Sequence, residues 1–425
     1  MSKDRKRNPF TIGQPVDPES FVGHQGLIDI AFDQIYNRSN LAIWGGPGMG
    51  KTSFLNLLKS EQVWQSQDIN PSEAIIVYLN CLEIKPFIAA TFWRKIIYSI
   101  GEKTKDDSIV QLTKKSLQKP KSTKEHLRYI LRKIGEQNKF LVLLLDDYDA
   151  TLNSDSRYTE TDIEIFLTEC RHLANHSEER KYLSMIVTSL RRLNEKGPSL
   201  TADGSPWYNH FGFQRLKPLN DKEIGIVLSG MPMTREIRDG IEEIAGGNPA
   251  LLQNIGFLLY SKRRSGETLN AEIFAKEFVE ATEHFFQDTW QLANELEQAL
   301  LMLIALYQLK GRVQKTRYDL SDISTIFSQK ERELNDLEER YVIQRTLEQE
   351  NTNYSFTSTI MEWWVIKEIE NTNTEILKQR EIVFLNFMSR KQVDKVKDVI
   401  NYLSENKEAI KSIAKWVGKL APYLA

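Results

Sequence analysis

Gly45-Gly46-Pro47-Gly48-Met49-Gly50-Lys51-Thr52 fills the pattern G-x-x-x-x-G-K-[ST] at every fixed position and follows the apolar run Leu41-Ala42-Ile43-Trp44. Glycines reach backbone angles closed to other residues, so successive main-chain N–H groups of such a loop converge on one point that suits a phosphate. The chemistry expected is the grip of a nucleoside triphosphate. Lys51 would meet the β- and γ-phosphate oxygens, the Thr52 hydroxyl would face Mg2+, and Ser53 would open the helix behind them. A second constellation ends the run Phe140-Leu141-Val142-Leu143-Leu144-Leu145, which delivers Asp146 and Asp147. Paired carboxylates at the end of an apolar strand complement a phosphate loop: Asp146 for the hydration shell of Mg2+, Asp147 to polarise the attacking water. Asp149 suits a helix cap better. A third group follows Met185-Ile186-Val187, where Thr188-Ser189-Leu190-Arg191-Arg192 brings a hydroxyl and then guanidinium groups to a strand end. Ser189 is the candidate to report on the γ-phosphate. Arg191 or Arg192, in the same subunit or a neighbour, would match its spread charge.

These groups need a frame that brings strand ends together. Short apolar runs at residues 41–44, 74–80, 140–146, 183–188 and 211–216 alternate with helical patterns. That alternation marks a parallel sheet covered on both faces. The run Ala74-Ile75-Ile76-Val77-Tyr78-Leu79 lies in sequence between the loop and Asp146. An extra strand is therefore expected to separate them in the sheet, as in the P-loop division that keeps a catalytic acid on its own sheet (ASCE type). Lys114, Lys115, Lys119, Lys121 and Lys124 around Pro120 read as solvated surface. Beyond Pro218 the periodicity becomes helical at 221–228, 234–245, 249–261 and 271–292, which predicts a helical lid. Helices at 296–309, 320–327 and 330–339 precede strands at 341–348 and 354–357, with Asn351-Thr352-Asn353 as the turn. Three helices and a two-stranded wing predict a winged helix-turn-helix. Helices broken near residues 371–373 and Ser389 complete the chain. The expected domains are thus an N-terminal extension (1–20), a P-loop NTPase domain (21–218), a lid (219–293), a winged helix (294–370) and a helical tail (371–425).

Composition narrows the classes. The 56 basic and 58 acidic residues give a formal charge of −2, which excludes a globally cationic nucleic-acid coat. Two cysteines, Cys81 and Cys170, make neither a disulfide framework nor a zinc site, and a reducing cytoplasm is the expected location. The basic start has no apolar stretch behind it, and no run of about 18 apolar residues occurs, so neither secretion nor membrane spanning is expected.

Gly246-Gly247-Asn248-Pro249 opens the helical pattern Ala250-Leu251-Leu252-Gln253 in the lid. Together with Phe21-Val22-Gly23, the phosphate loop, Asp146-Asp147 and Thr188-Ser189 with Arg191, it resembles the STAND class of signal-transduction ATPases, in a short bacterial form. The resemblance runs from about Asn8 to Trp364. It implies ATP and ADP as ligands with Mg2+, slow switch-type hydrolysis, and a homo-oligomer in the ATP state. By resemblance Phe21 and Val22 would lie along the adenine side, and Pro249 would tie the lid to the nucleotide. An opening like Asn8-Pro9-Phe10 with Gly13 and Pro15-Val16 is common in bacterial members. The chain departs from the family at His24, where arginine is usual, and at residues 354–359, which lack the histidine many members carry in the winged helix. In these 425 residues neither a sensor repeat array nor a separate effector domain is expected.

Charge tests a DNA role for the winged helix. Residues 329–340, where recognition side chains would sit, carry five acids against three bases, so a structural or protein-contact role is expected and DNA is disfavoured. An AAA+-like DNA-handling ATPase similar to replication initiators is the alternative, and a non-hydrolysing nucleotide-binding scaffold is a third reading. In the last helical pattern Lys407, Lys411, Lys415 and Lys419 share one face, opposite Ile410, Ile413, Trp416, Val417 and Leu420. Such a helix suits docking on its own domain, then a protein partner, then an anionic membrane surface.

Overall fold

The computed structural model describes residues 7–195, 197–198, 206–231, 234–267, 270–309, 323–348 and 351–405. The chain divides into two units: a sheet unit of Pro15–Gly45 and Met49–Lys217, and a helical unit of Met1–Gln14, Gly46–Gly48 and Pro218–Ala425. The tip of the glycine-rich loop thus groups with the helical unit.

Five parallel strands form the sheet unit: β1 (Asn40–Trp44), β2 (Ala74–Asn80), β3 (Phe140–Asp146), β4 (Leu183–Ser189) and β5 (Phe211–Arg215), in the order β2-β3-β4-β1-β5. Every residue of β1, β3 and β4 is buried, because continuous apolar runs suit strands covered on both faces, whereas β2 alternates as an edge strand does. Leu41, Ile43, Val142, Leu144 and Ile186 build the core on one face; Ala42, Leu141, Leu143, Met185 and Val187 build the core on the other. Around them pack α1 (Gln25–Tyr36), α2 (Lys51–Leu57), α3 (Glu61–Ser66), α4 (Ala89–Lys103), α5 (Asp107–Leu117), α6 (Lys124–Glu136) and α7 (Glu160–Arg171). One strand does separate β1 from β3, but it is β4. The run 74–80, expected in that place from its position in sequence, is the edge strand β2. Each crossover is free to reach past a neighbour, so order along the chain does not set order in the sheet. The basic stretch around Pro120 joins α5 to α6, and Lys114, Lys115, Lys119 and Lys121 are exposed.

The helical unit contains α8 (Asp221–Val227), α9 (Arg235–Ala245), α10 (Pro249–Ser265), α11 (Ala271–Leu292), α12 (Glu295–Gln308), α13 (Ile323–Gln329), α14 (Glu331–Glu339), α15 (Thr359–Glu370), α16 (Thr374–Leu385) and α17 (Arg390–Glu405). An antiparallel hairpin of β6 (Ile343–Glu348) and β7 (Asn351–Phe356) lies between α14 and α15. Asn351-Thr352-Asn353, expected to turn, belongs to β7. A two-stranded hairpin tolerates polar residues on its open face, so composition misled there. One core joins these elements, with Trp363 and Trp364 buried in it, Trp364 packing its ring against Trp290. Phe10 enters the same core: Asn8 Nδ2 donates to Phe257 O at 3.1 Å, Thr11 N donates to Gln253 Oε1 at 2.8 Å, and a Cβ on Gly256 would overlap the Phe10 ring. Among the described residues no helix is long and apolar enough to cross a membrane. The lysine-bearing helix expected at 407–421 lies outside the described residues.

Candidate functional site

Parallel strands present their C-terminal ends on one edge of the sheet, where ligands of open α/β folds bind. Here that edge collects the loop after β1, the carboxylates after β3 and the turn after β4. Gly45 N donates to Ser189 O at 3.2 Å, which joins the loop to β4. Gly48 and Gly50 have φ of 75° and 90°, in the left-handed region where a side chain is strained. Lys51 then opens α2, and Gly50 before it has no side chain with which to cap the first turn, so its N–H groups keep their capacity for an anion. Lys51 is buried and donates through Nζ to Gly45 O at 2.8 Å. Burial pulls its ammonium below the usual lysine range, while Asp147, Asp149 and Asp146 pull the other way.

Asp146 is fully buried and accepts three hydroxyls. Thr52 Oγ1 donates to Oδ2 at 2.7 Å, Tyr78 OH donates to the same oxygen at 2.9 Å, and Thr188 Oγ1 donates to Oδ1 in a short bond. Burial first, then the Asp146 charge, pushes the Tyr78 phenol above its usual range, so it remains a donor. Asp147 stands differently. Its backbone is left-handed, with φ 49° and ψ 45°, and its N–H is held by Thr188 Oγ1 at 3.1 Å. Asn80 Nδ2 donates to its Oδ2 at 3.2 Å. Desolvation, then the neighbouring Asp146, raises the Asp147 carboxyl above the usual aspartate range, against the opposing pull of Lys51. A raised carboxyl close to an ammonium is the electrostatic profile of a proton acceptor. Asp149 is buried in the turn after β3, and its Oδ2 accepts the Leu190 N–H at 3.3 Å, which holds the ends of β3 and β4 together.

The other predicted residues sit nearby in the sheet unit. Ser189 Oγ donates to Arg191 O at 2.7 Å, and Arg191 Nε pairs with Glu195 at 3.1 Å, so both shape the turn after β4. Arg192 lies with its guanidinium 5.1 Å from the Phe213 ring centre. Ser53 Oγ accepts the Val16 N–H at 3.2 Å. The half-buried Phe21 packs its ring 6.0 Å from Phe54 of α2; Val22 beside it is half-buried, and Met49 is buried.

Within the helical unit, the loop tip is held by the lid turn. Asn248 Nδ2 donates to Pro47 O at 3.1 Å, and Ala250 N donates to Gly48 O at 3.1 Å. A Cβ on Gly48 would stand 2.9 Å from both Ala250 Cβ and Asn248 Oδ1, so a side chain there has no room. A Cβ on Gly46 would stand 4.0 Å from Arg340 O. Asn248 also caps α10, its Oδ1 accepting Ala250 N at 3.0 Å and Leu251 N at 3.2 Å, with Pro249 as the first helical residue. The end of α9 just before that turn is held by residues that follow β7. Thr357 Oγ1 donates to Tyr341 O, Ser358 Oγ to Ile244 O and Thr359 Oγ1 to Glu243 O, while a Cβ on Gly246 would overlap Thr357 O.

Tyr78, Asn80, Thr188 and Asn248, all outside the predicted set, hold its carboxylates and its loop tip. Thr188 and Asn248 stood in quoted motifs without these roles. Tyr78 and Asn80 carry the spacing of one face of a strand, a signal that becomes readable only once β2 is known to lie beside β3. The oxygen donors Thr52 and Asp146 fit Mg2+, which takes one or two protein oxygens and completes its octahedron with phosphates and water.

Residues 34–196, less than half of the chain, match a family model described as an AAA domain. No curated protein matches the chain. Solved structures with a similar course of chain include a Walker-type ATPase of Pyrococcus abyssi, at 14% identity with 84% of this chain and 99% of that one covered (TM-score 0.48). The ORC2 protein of Aeropyrum pernix, in ADPNP and ADP complexes, is similar at 13% identity with 95% and 99% covered (TM-score 0.48). The ORC1 protein of Aeropyrum pernix in complex with DNA is similar at 11% identity with 82% and 94% covered (TM-score 0.40). The chain thus carries an AAA-type segment within an α/β fold of parallel strands, with a helical C-terminal region.

Proposed function

We propose that the protein is a Mg2+-dependent ATPase that works as a nucleotide-controlled switch of the STAND kind. The observation that carries this reading is the 2.7 Å bond between Thr52 and the buried Asp146, which brings the phosphate loop and the paired carboxylates into one site. Lys51 meets the β- and γ-phosphate oxygens, and the main-chain N–H groups of residues 46–52 cradle them. Thr52 and Asp146 hold the metal, which when bound offsets the phosphate charge. Asp147, oriented by Asn80 and by the Thr188 bond to its N–H, accepts a proton from the attacking water. Ser189 and Arg191 respond to the γ-phosphate from the turn after β4, and Phe21 and Val22 flank the base.

The switch lies in the helical unit. Asn248 and Ala250 read the position of the loop tip, and the Ser358 and Thr359 hydroxyls, just past the hairpin, bond the Ile244 and Glu243 carbonyls at the end of α9 that leads into that turn. With ADP bound, the lid and winged helix close on the site. ATP adds γ-phosphate contacts that favour an open, self-associating form, as differential affinity for two states requires. Molar mass in solution tests it: a protein that stays monomeric with both ADP and a slowly hydrolysed ATP analogue is not this switch.

A DNA-handling ATPase is the second reading, and the ORC1 structure in complex with DNA among the similar folds stands against the expectation that DNA is disfavoured. Against a recognition role, α14 carries the acids Glu331, Glu333, Asp336, Glu338 and Glu339, and Arg340, one of the three bases nearby, is buried against Glu297 at 2.6 Å. Titration with duplex DNA at moderate salt, with and without ATP, separates the readings. Tight ATP-dependent binding selects the second.

A further inference from the structure

Tyr78 lies on β2 in register with Leu144, two residues before the pair Asn80 and Asp146. Strand side chains alternate, so Tyr78 and Asn80 share one face of the sheet, and each reaches across to one of the two carboxylates that end β3. Asn80 holds Asp147, while Tyr78 OH donates to Asp146 Oδ2 at 2.9 Å, the oxygen that also accepts Thr52 Oγ1 at 2.7 Å. Thr188 occupies Oδ1. A carboxylate on a single Cβ is free to rotate about its χ2, a broad torsion with little intrinsic preference. Donors on both oxygens, from β2, β4 and α2, remove that freedom. Of the three, the Thr52 hydroxyl would turn to a bound Mg2+, and Thr188 acts at the far oxygen. Only Tyr78 then fixes the oxygen turned toward Thr52.

Filling space does not account for the hydroxyl. The half-buried Tyr78 ring packs against the core on this face and carries the Lys59 ammonium 4.4 Å from its centre. Phenylalanine would meet both of those demands. The hydroxyl adds one thing more, a donor aimed at an anion in a site where little water competes.

We propose that Tyr78 is a positioning residue that fixes the orientation of the Asp146 carboxylate and thereby sets the affinity of the site for Mg2+. The proposal rests on the reading that Thr52 and Asp146 hold the metal. Partners that orient a metal-binding group commonly change metal affinity by about tenfold or more when removed.

The test compares the full chain with Tyr78→Phe, which keeps the ring. ADP binding is titrated in EDTA and then across a Mg2+ series, and Mn2+ binding to the ADP complex is followed by electron paramagnetic resonance. The expected result is equal ADP affinity in EDTA, equal melting temperature, and about a tenfold higher metal concentration for half-saturation in Tyr78→Phe. An unchanged metal requirement overturns the proposal. So does a loss of ADP affinity in EDTA that matches the loss in Mg2+, because a collapsed site would affect both alike. If the wild-type chain itself binds ADP without any effect of Mg2+, the underlying reading of Thr52 and Asp146 fails instead.

Discussion

The carboxylates at the end of β3 and the tip of the glycine-rich loop are held by opposite means. At the carboxylates every restraint is a side chain: Thr52, Tyr78 and Thr188 donate to Asp146, and Asn80 donates to Asp147. At the loop tip the restraints end on main chain, with Pro47 O and Gly48 O accepting from the lid turn and glycines at 48, 246 and 247 leaving room for close approach. The first region is damaged by removing atoms and the second by adding them. A site fixed by side chains keeps charges at set positions, as the proposed hydrolysis needs, whereas one fixed by main chain follows whatever shifts the backbone, as the proposed switch needs.

The largest expected effect sharpens the first half of that contrast. Asp147→Asn removes the proposed proton acceptor and leaves volume and hydrogen bonding nearly unchanged, so hydrolysis should fall by about 100-fold or more while ATP stays bound. Steady-state phosphate release with parallel binding titrations checks this, and unchanged turnover reassigns the base. Because burial and Asp146 raise the Asp147 carboxyl, a falling pH protonates it earlier than an ordinary aspartate. The acid limb of hydrolysis should therefore lie above the usual aspartate range, with nucleotide binding still intact at its midpoint.

Gly247→Ala tests the second half. Its φ is 73°, and a Cβ would stand 2.5 Å from Leu219 O, so strain and crowding should destabilise the helical unit by about 2–4 kcal/mol. Calorimetry should show a lower melting temperature. A variant as stable as the wild type would mean that the lid turn has slack, and the contrast would weaken.

Asn248→Ser gives a smaller effect. Serine caps a helix about as well as asparagine but does not reach Pro47 O. The change of cap should cost no more than about 0.5 kcal/mol and the lost Pro47 bond about 1 kcal/mol of stability, and a loop tip freed of that bond should bind nucleotide more weakly, by up to about fivefold. Equal affinity in both forms would leave the lid turn as scaffold only.

The legibility of the chain divides along the same line. The glycine-rich loop and Asp146-Asp147 could be read from sequence because each is a local pattern in which neighbours along the chain are neighbours in space. The buried strands followed from unbroken apolar runs. Tyr78 and Asn80 could not be read, because their place depends on β2 pairing with β3, and that order is decided by crossovers among helices. The run 74–80 was expected between the loop strand and β3 for the same reason, and β4 holds that place. The turn expected at 351–353 failed because strand pairing with residues 346–348 overrode the turn preference of asparagine. Asn248 was legible as part of a motif, but its amide bond to Pro47 depends on the loop tip and the lid turn meeting, which spacing does not encode.

The most direct measurement is calorimetric titration of the full chain and of Lys51→Ala with ATP in Mg2+. A cradle of main-chain N–H groups completed by one buried ammonium predicts one site per chain, with affinity lowered by at least about tenfold in Lys51→Ala, the loss of one charge-assisted bond. Equal affinity in the two proteins would contradict the account, because the triphosphate would then bind somewhere other than the loop at residues 45–52.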